Sequence, residues 1–402
     1  MERVYKLISD KVSNLRKEII EIRRNIYMHP ELSGNEKRTS QLVADKLRSC
    51  GIDVQTNIGG YGVVGILNGN KRGKIIAWRA DMDACAMQDT IDKPYKSRID
   101  GIKHVCGHDA HTAIALGIAE TFASIKEYLK GTIKFIFQPY EEGTEGALRM
   151  IKDGVLENPR PSAIYGLHVT NWGLNQTYLQ AGQLSINYGA ALFGKYLFKV
   201  IVKINREDIN LSSEQDIIIH YLNKLNRYNI KCGKASQNIV DLRIEEKDTL
   251  FENNEIQLKA FFRFAQVRFI DEIIEELQRI INDYKDNSNY EVIIEPLKIM
   301  PPVYNDENES EEACLILKEF IGNNVVQIRN EFPPHGSDDF ALFQNELASG
   351  LFFFLGCANI EKCIKVGMHN PNFDIDEDCL EFGVKTMSMF LFELMNKKLK
   401  EN

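Results

Sequence analysis

Residues 103–112 read KHVCGHDAHT and pack three histidines, a cysteine and an aspartate into ten positions of a chain with only 8 histidines in 402 residues. Cys106 and His108 stand two apart where a helix is expected to begin. Thiolate and imidazole are good ligands for zinc, manganese, cobalt or nickel. A lone histidine or cysteine there more often caps a helix or fills a core, but four ligand-type residues together reverse that reading. FQPYEEG sets Glu141 and Glu142 side by side just past an apolar run. Neighbouring side chains point in different directions, so one can bind a cation while the other takes a proton from a water. An acidic pair alone usually marks a solvated loop. His168 ends the apolar strand YGLHV, where a single histidine is more often a satisfied core residue. His369 lies in the polar loop GMHNPNFDID after the apolar run FFFLGC, and Asp81 and Asp83 end AWRADMDA.

The pattern outweighs any member of it. Candidate ligands recur at or just beyond the carboxyl ends of apolar strands, the edge where open α/β sheets build their sites. Cys106, His108, Glu142, His168 and His369 are too many for one tetrahedral catalytic zinc with an open position. They suit two ions about 3.5–4 Å apart sharing a thiolate or a water.

The elements that must position these residues are legible from periodicity. Val4, Ile8, Val12, Leu15, Ile19, Ile22 and Ile26 recur at helical spacing and predict one long helix, ending at HPEL where Pro30 disfavours helix at His29. A second helix is expected over about 36–50, closed by Gly51. GVVGILNG, KIIAWRADMDA, GTIKFIFQ, SAIYGLHVTN and GLFFFLGC read as strands and HTAIALGIAETFASIKEYL as a helix. This alternation predicts an α/β sheet covered on both faces. From about 190 to 300 the order becomes βαββαβ, the ferredoxin-like split βαβ unit, which predicts an inserted second domain. The expected division is a discontinuous domain over 1–188 and 301–402, interrupted by 189–300.

Composition narrows the class. A net charge of −8, with no stripe dense in Lys and Arg, argues against nucleic acid as the main partner. No run approaches the ~20 apolar residues that span a bilayer, and the N-terminus lacks an apolar signal core. The 8 cysteines form no C-x-x-C pair and are expected to be reduced and buried in a cytoplasmic protein.

HPELSGNE, RADMDA, HVCGHDAHT, FQPYEEG, GLHV, SDDF and HNPNFDID resemble, in order and approximate spacing, motifs of the metal-dependent aminoacylase/carboxypeptidase metallopeptidase family. The branch most similar holds N-acyl-amino-acid amidohydrolases, hippurate hydrolases and indole-acetyl-amino-acid hydrolases. The resemblance implies a zinc-peptidase-like α/β catalytic domain with an inserted ferredoxin-like lid, which in the family often mediates homodimers. Carried over by motif, Cys106, His108, Glu142, His168 and His369 would be the ligands of two divalent ions, and Glu141 the general base. Asp83 would be a catalytic-site residue behind the ligands, and Asp109 would orient a ligand histidine. The implied substrate is an N-acyl amino acid or a small peptide-like amide.

The expected lid departs from the family pattern. KINREDINLSSEQD stands where G-K-G-G-H-A-x-x-P is usual, so the histidine that stabilises the family's transition state is missing. Loss of such a donor can cost on the order of 10²–10³ in rate. An N-V-I-P-like motif is replaced around KDTLFENNEIQ, and RADMDACAMQD lacks the usual proline. His220 and Arg206 are the nearby candidates to replace the lost histidine, against packing and a solvated charge respectively. Three functions therefore stand: amide hydrolysis, acyl transfer or amide formation on the same metal site, and a non-catalytic metal- or partner-binding protein.

Overall fold

The computed structural model describes residues 2–173, 177–204, 239–252, 255–267, 290–329 and 336–396, with positions 270–271, 274–275 and 279. Helix α1 (Glu2–Met28) buries Val4, Ile8, Val12, Leu15, Ile19 and Ile26 along one stripe and stops short of Pro30. After α2 (Lys37–Ser49) come strands β1 (Asp53–Ile58), β2 (Gly62–Asn68) and β3 (Lys71–Asp81), then α3 (His108–Ser124). Next are β4 (Lys130–Gln138), α4 (Gly146–Lys152), β5 (Ala163–Thr170) and β6 (Leu184–Asn187). Four long strands follow, β7 (Gly194–Ile204), β8 (Ile239–Glu252), β9 (Glu255–Phe264) and β10 (Tyr290–Met300). The chain returns through α5 (Glu307–Ile321), β11 (Val325–Ile328), β12 (Gly350–Gly356) and α6 (Asp378–Asn396).

These elements fall into two compact units, residues 1–189, 304–330 and 342–402 in the larger and 190–303 with 331–341 in the smaller. The larger unit holds an eight-stranded mixed sheet in the order β1-β2-β4-β3-β5-β12-β6-β11. Its centre, β4-β3-β5-β12, is parallel throughout. Alternate residues Ile76 and Trp78 of β3, and Ile133, Phe135 and Phe137 of β4, enter one core with Ile114 and Phe122 of α3. Ile8 and Ile19 of α1, Leu47 of α2 and Phe390 of α6 belong to the same core. Helix α3 is buried almost all round, which explains why its apolar residues show no single stripe.

In the smaller unit the strands run β10-β7-β9-β8, each antiparallel to its neighbour. That is the strand order of the split βαβ unit, and it leaves β7 and β8 parallel to one another with β9 between them. Such a pair needs a crossover of a dozen or more residues, and residues 205–238 link these two strands. The helix expected over SEQDIIIHYLNKLNRY falls outside the described residues, and so does most of the one expected over FIDEIIEELQRIINDY. Tyr196, Phe198, Phe262 and Phe264 form this unit's buried aromatic layer, with the rings of Tyr196 and Phe262 stacked at 5.0 Å.

The described cysteines are free, in keeping with a reduced chain, but they are not uniformly buried. Cys363 is exposed, and Cys50 and Cys85 are half-buried. Cys50 packs at the rim of the larger unit's core, so its partial exposure follows from its place at the end of α2, which a cysteine count does not show. Among the described residues no helix is long and apolar enough to cross a membrane.

Candidate metal centre

Because β4, β3, β5 and β12 are parallel neighbours, their carboxyl ends lie on one edge of the sheet. Asp81 is the last residue of β3, and Asp83 follows two residues later. Glu141 and Glu142 follow the end of β4, and His168 lies in the last turn of the pleat of β5. His369 sits in the segment between β12 and α6. Cys106 and His108 flank Gly107, which caps α3 at φ 94°. A Cβ on Gly107 would come within 2.3 Å of Val169 Cγ2, so only glycine permits both this backbone conformation and the close approach of helix to strand.

The side chains converge. Cys106, His108 and His168 each bring a ligand atom within 4.8 Å of the others. So do His108, Glu141 and Glu142, and so do Cys85, Glu142 and His369. Shared members join these groups into one cluster holding all five residues expected as ligands. His369 stands apart in exposure, with 55% of its side chain open to solvent and Nε2 3.7 Å from Glu142 Oε1. Its backbone is in the left-handed region at φ 56° and is tied down by a bond from its N–H to Val105 O at 2.9 Å. Non-glycine residues in that region recur at functional sites because surrounding contacts must hold them there.

Hydrogen bonds decide which ring nitrogen of each histidine is available. His108 Nδ1 lies 2.9 Å from the backbone O of Asp83 and 3.3 Å from its Oδ1, which places the proton on Nδ1. His108 Nε2 is buried without a hydrogen-bond partner. His168 Nδ1 donates to Val169 O at 2.7 Å, leaving Nε2 to accept from the Cys106 thiol at 3.3 Å. Asp83 is itself fixed, since Oδ2 accepts from Ser33 Oγ at 2.6 Å and from the backbone N–H of Glu142 at 3.0 Å. One carboxylate therefore orients a histidine and holds the acidic loop in place, the usual arrangement behind metal-ligating residues.

Electrostatics point to a cation. Burial disfavours a charged His108, yet Asp81 and Asp83 outweigh it and push the imidazole up to about 10. Burial would also raise Asp83, but His108 and Ser33 hold it below its ordinary value. Burial pushes the Cys106 thiol well up, and Glu142 adds to the effect. A cluster that holds a proton on His108 this firmly favours positive charge, and a divalent ion satisfies the same carboxylates while stabilising a thiolate. The orphaned Nε2 of His108 and the buried, unpartnered Oε1 of Glu142 fit that role.

One expectation resolves differently. Asp109 does not support a ligand histidine: its Oδ2 accepts from Arg23 Nε at 2.6 Å. Arg23 is almost fully buried and also reaches Asp374 and Glu377, so it ties α1 to the start of α3 and to the segment before α6. A second histidine held by an acid, beside His108, is His111, whose Nδ1 lies 2.6 Å from Asp81 Oδ1 while its Nε2 accepts from Val169 N–H at 2.9 Å. Both nitrogens are occupied, so His111 braces helix against strand. Arg23 falls on the apolar stripe of α1 between Ile19 and Ile26, and His111 lies one turn after His108, which are the sequence signals for both. His220 and Arg206 lie outside the described residues.

Glu36, from the HPELSGNE motif, anchors the acidic loop from below. Its Oε1 accepts from Gly34 N–H at 2.7 Å and from Tyr140 N–H at 2.9 Å, next to Glu141. Glu36 is fully buried, and burial, only partly offset by these N–H bonds, pushes it up from 4.5 to about 7. An acid raised in the folded state binds more protons there than when unfolded. Its contribution is therefore complete below about pH 4.5 and is lost as pH rises through about 7. Glu36→Gln should flatten that fall, by about 3 kcal/mol at most. Urea unfolding of both proteins at about pH 5 and about pH 8 tests it, and an unchanged difference between the two pH values would count against a titrating Glu36.

Comparison with known proteins agrees with the fold and shows the family. The description of peptidase family M20/M25/M40 matches residues 77–393. The chain is 31% identical to thermostable carboxypeptidase 2 of Saccharolobus solfataricus, covering 99% of this chain and 100% of that one. It is 29% identical to the IAA-amino acid hydrolase ILR1-like 4 of Arabidopsis thaliana, covering 96% and 88% respectively. Among solved structures, YXEP of Bacillus subtilis, described as a dinuclear metal-binding peptidase, superposes with a TM-score of 0.77 at 24% identity, covering 96% of this chain and 100% of that one.

Proposed function

The chain belongs to peptidase family M20/M25/M40, a family of metal-dependent hydrolases, and on that premise we propose that it cleaves the amide bond of an N-acyl amino acid or small peptide-like substrate. The observation that carries this reading is the convergence of Cys106, His108, Glu141, Glu142, His168 and His369 at one sheet edge, with His108 Nε2 buried and unpartnered. Relatives named as a carboxypeptidase and as an amino-acid conjugate hydrolase support the substrate class.

In this reading Cys106, His108, Glu142, His168 and His369 hold two divalent ions, zinc, manganese, cobalt or nickel. Bound ions supply Lewis acidity toward the substrate carbonyl and lower the pKa of a water. Glu141 does the proton work. It is nearly buried, its Oε2 lies 3.8 Å from His108 Nε2, and it is one residue from the ligand Glu142. It takes the proton of the attacking water and passes it to the leaving amine. Asp83 acts as a positioning residue, keeping the proton of His108 on Nδ1 and the Glu142 backbone in place. The exposed side of His369 leaves the centre open to solvent there. We assign the catalytic domain to residues 1–188 and 301–402 and the lid to 189–300. Free cysteines favour a cytoplasmic setting.

Elemental analysis of the purified protein, paired with release of free amine from a panel of N-acyl amino acids, tests the proposal. The expected result is about two metal ions per chain together with amine release. Two metals with no release across the panel would turn the reading toward acyl transfer. No metal under metal-replete conditions would remove the catalytic reading altogether.

A further inference from the structure

We propose that Cys85 is a sixth metal donor: its sulfur joins Glu142 and His369 in holding one ion of the pair and biases the centre toward thiophilic divalent ions. The inference rests on the two-metal reading above. Three segments distant in sequence supply these donors, the loop after β3, the loop after β4 and the segment before α6, and one ligand atom from each lies within 4.8 Å of the others. Cys85 is a free, half-buried cysteine, and its immediate company is a carboxylate and an imidazole, which is the environment of a ligand more than of a small apolar filler.

The backbone fixes the sulfur's place. Cys85 N–H donates to Lys103 O at 3.0 Å, and Lys103 N–H donates to Cys85 O at 3.1 Å. The same lysine is fully buried, pairs with Asp89 at 3.0 Å and donates from Nζ to Pro371 O at 2.7 Å, two residues from His369. Lys103 thus locks Cys85 to the segment that carries His369. Glu142 offers a buried Oε1 with no hydrogen-bond partner, and His108, whose buried Nε2 is likewise unpartnered, completes the link to the other ion's ligands.

Binding would displace the thiol proton to solvent and form one sulfur–metal bond. With Cys106 this gives the centre two thiolates. Soft sulfur favours zinc, cobalt or cadmium over manganese, which prefers oxygen ligands. The consequence is a metal preference different from that of a centre with one thiolate.

Cobalt(II) added to the metal-free protein is the direct probe, because sulfur-to-cobalt charge-transfer absorption reports thiolate bonding independently of turnover. The wild type should bind about two cobalt ions and show this absorption. Cys85→Ser and Cys106→Ser should each lose part of it, and the double variant all of it. Cys85→Ala, smaller and with no donor atom where serine still offers a hydroxyl oxygen, repeats the measurement should serine disturb the loop or bind the ion through oxygen. In competition, Cys85→Ser should lower the preference for zinc over manganese by about tenfold or more. Two bound cobalt ions with a spectrum unchanged in both Cys85 variants would overturn the assignment of Cys85 and leave the metal centre standing. No cobalt bound by the wild type would overturn both.

Discussion

Glu141→Gln should lower amide hydrolysis by on the order of 10²–10⁴-fold while the chain still binds its metal ions. Glutamine keeps the volume of the side chain and a carbonyl oxygen in the same place, so the loop after β4 has no steric reason to move. It cannot accept a proton from water at neutral pH, which is the only step this substitution should touch. Glu142, the neighbouring residue, keeps its backbone bond to Asp83 Oδ2 in the variant, so the ligand set is preserved. Metal content by elemental analysis, measured beside the rate of amine release, separates the two roles. A variant that keeps the wild-type rate would show that Glu141 is not the base. Loss of metal along with activity would make it a ligand.

Cys106→Ala should cost at least one metal ion per chain and reduce activity at least as severely. The thiol is buried against His168 Nε2 at 3.3 Å, and the pair sits beside His108 in a group whose three members are all buried. Removing the sulfur takes away the soft donor and leaves His168 Nε2 facing an apolar methyl, so the remaining imidazoles must hold an ion with one ligand fewer. Because an ion that binds only the folded state stabilises it by mass action, the gain in thermal midpoint on adding metal should shrink in the variant. Cys379→Ala is the comparison, since Cys379 is buried in the core between helix and sheet and should lose packing while keeping its metal. Equal metal content in wild type and Cys106→Ala would exclude the sulfur as a ligand.

Much of this arrangement is readable along the chain, because the signals are local. The stripe of α1, the glycine-bounded strands and the alternation that defines the smaller unit all follow from side-chain period. What stayed hidden were contacts between residues remote in sequence. Cys85 is one isolated cysteine in RADMDACAMQD until the sheet brings it to Glu142 and His369. Arg23 interrupts an apolar stripe, and nothing local says that Asp109, Asp374 and Glu377 neutralise it. A buried charge needs such partners, but their identity depends on which helices pack together.

The amino-acid sequence by itself determined the kinds of donor, their places at the carboxyl ends of strands and the family those motifs resemble, since ligand chemistry and strand period are properties of residues in order. Only the tertiary structure decided which atoms face the centre. Of the histidines at positions 108 and 111, one turn apart on α3, one has Nε2 free and the other spends it on Val169 N–H. Spacing along a helix sets the direction of a side chain to within a turn, whereas hydrogen-bond supply at each nitrogen depends on neighbours that strand order delivers from elsewhere in the chain.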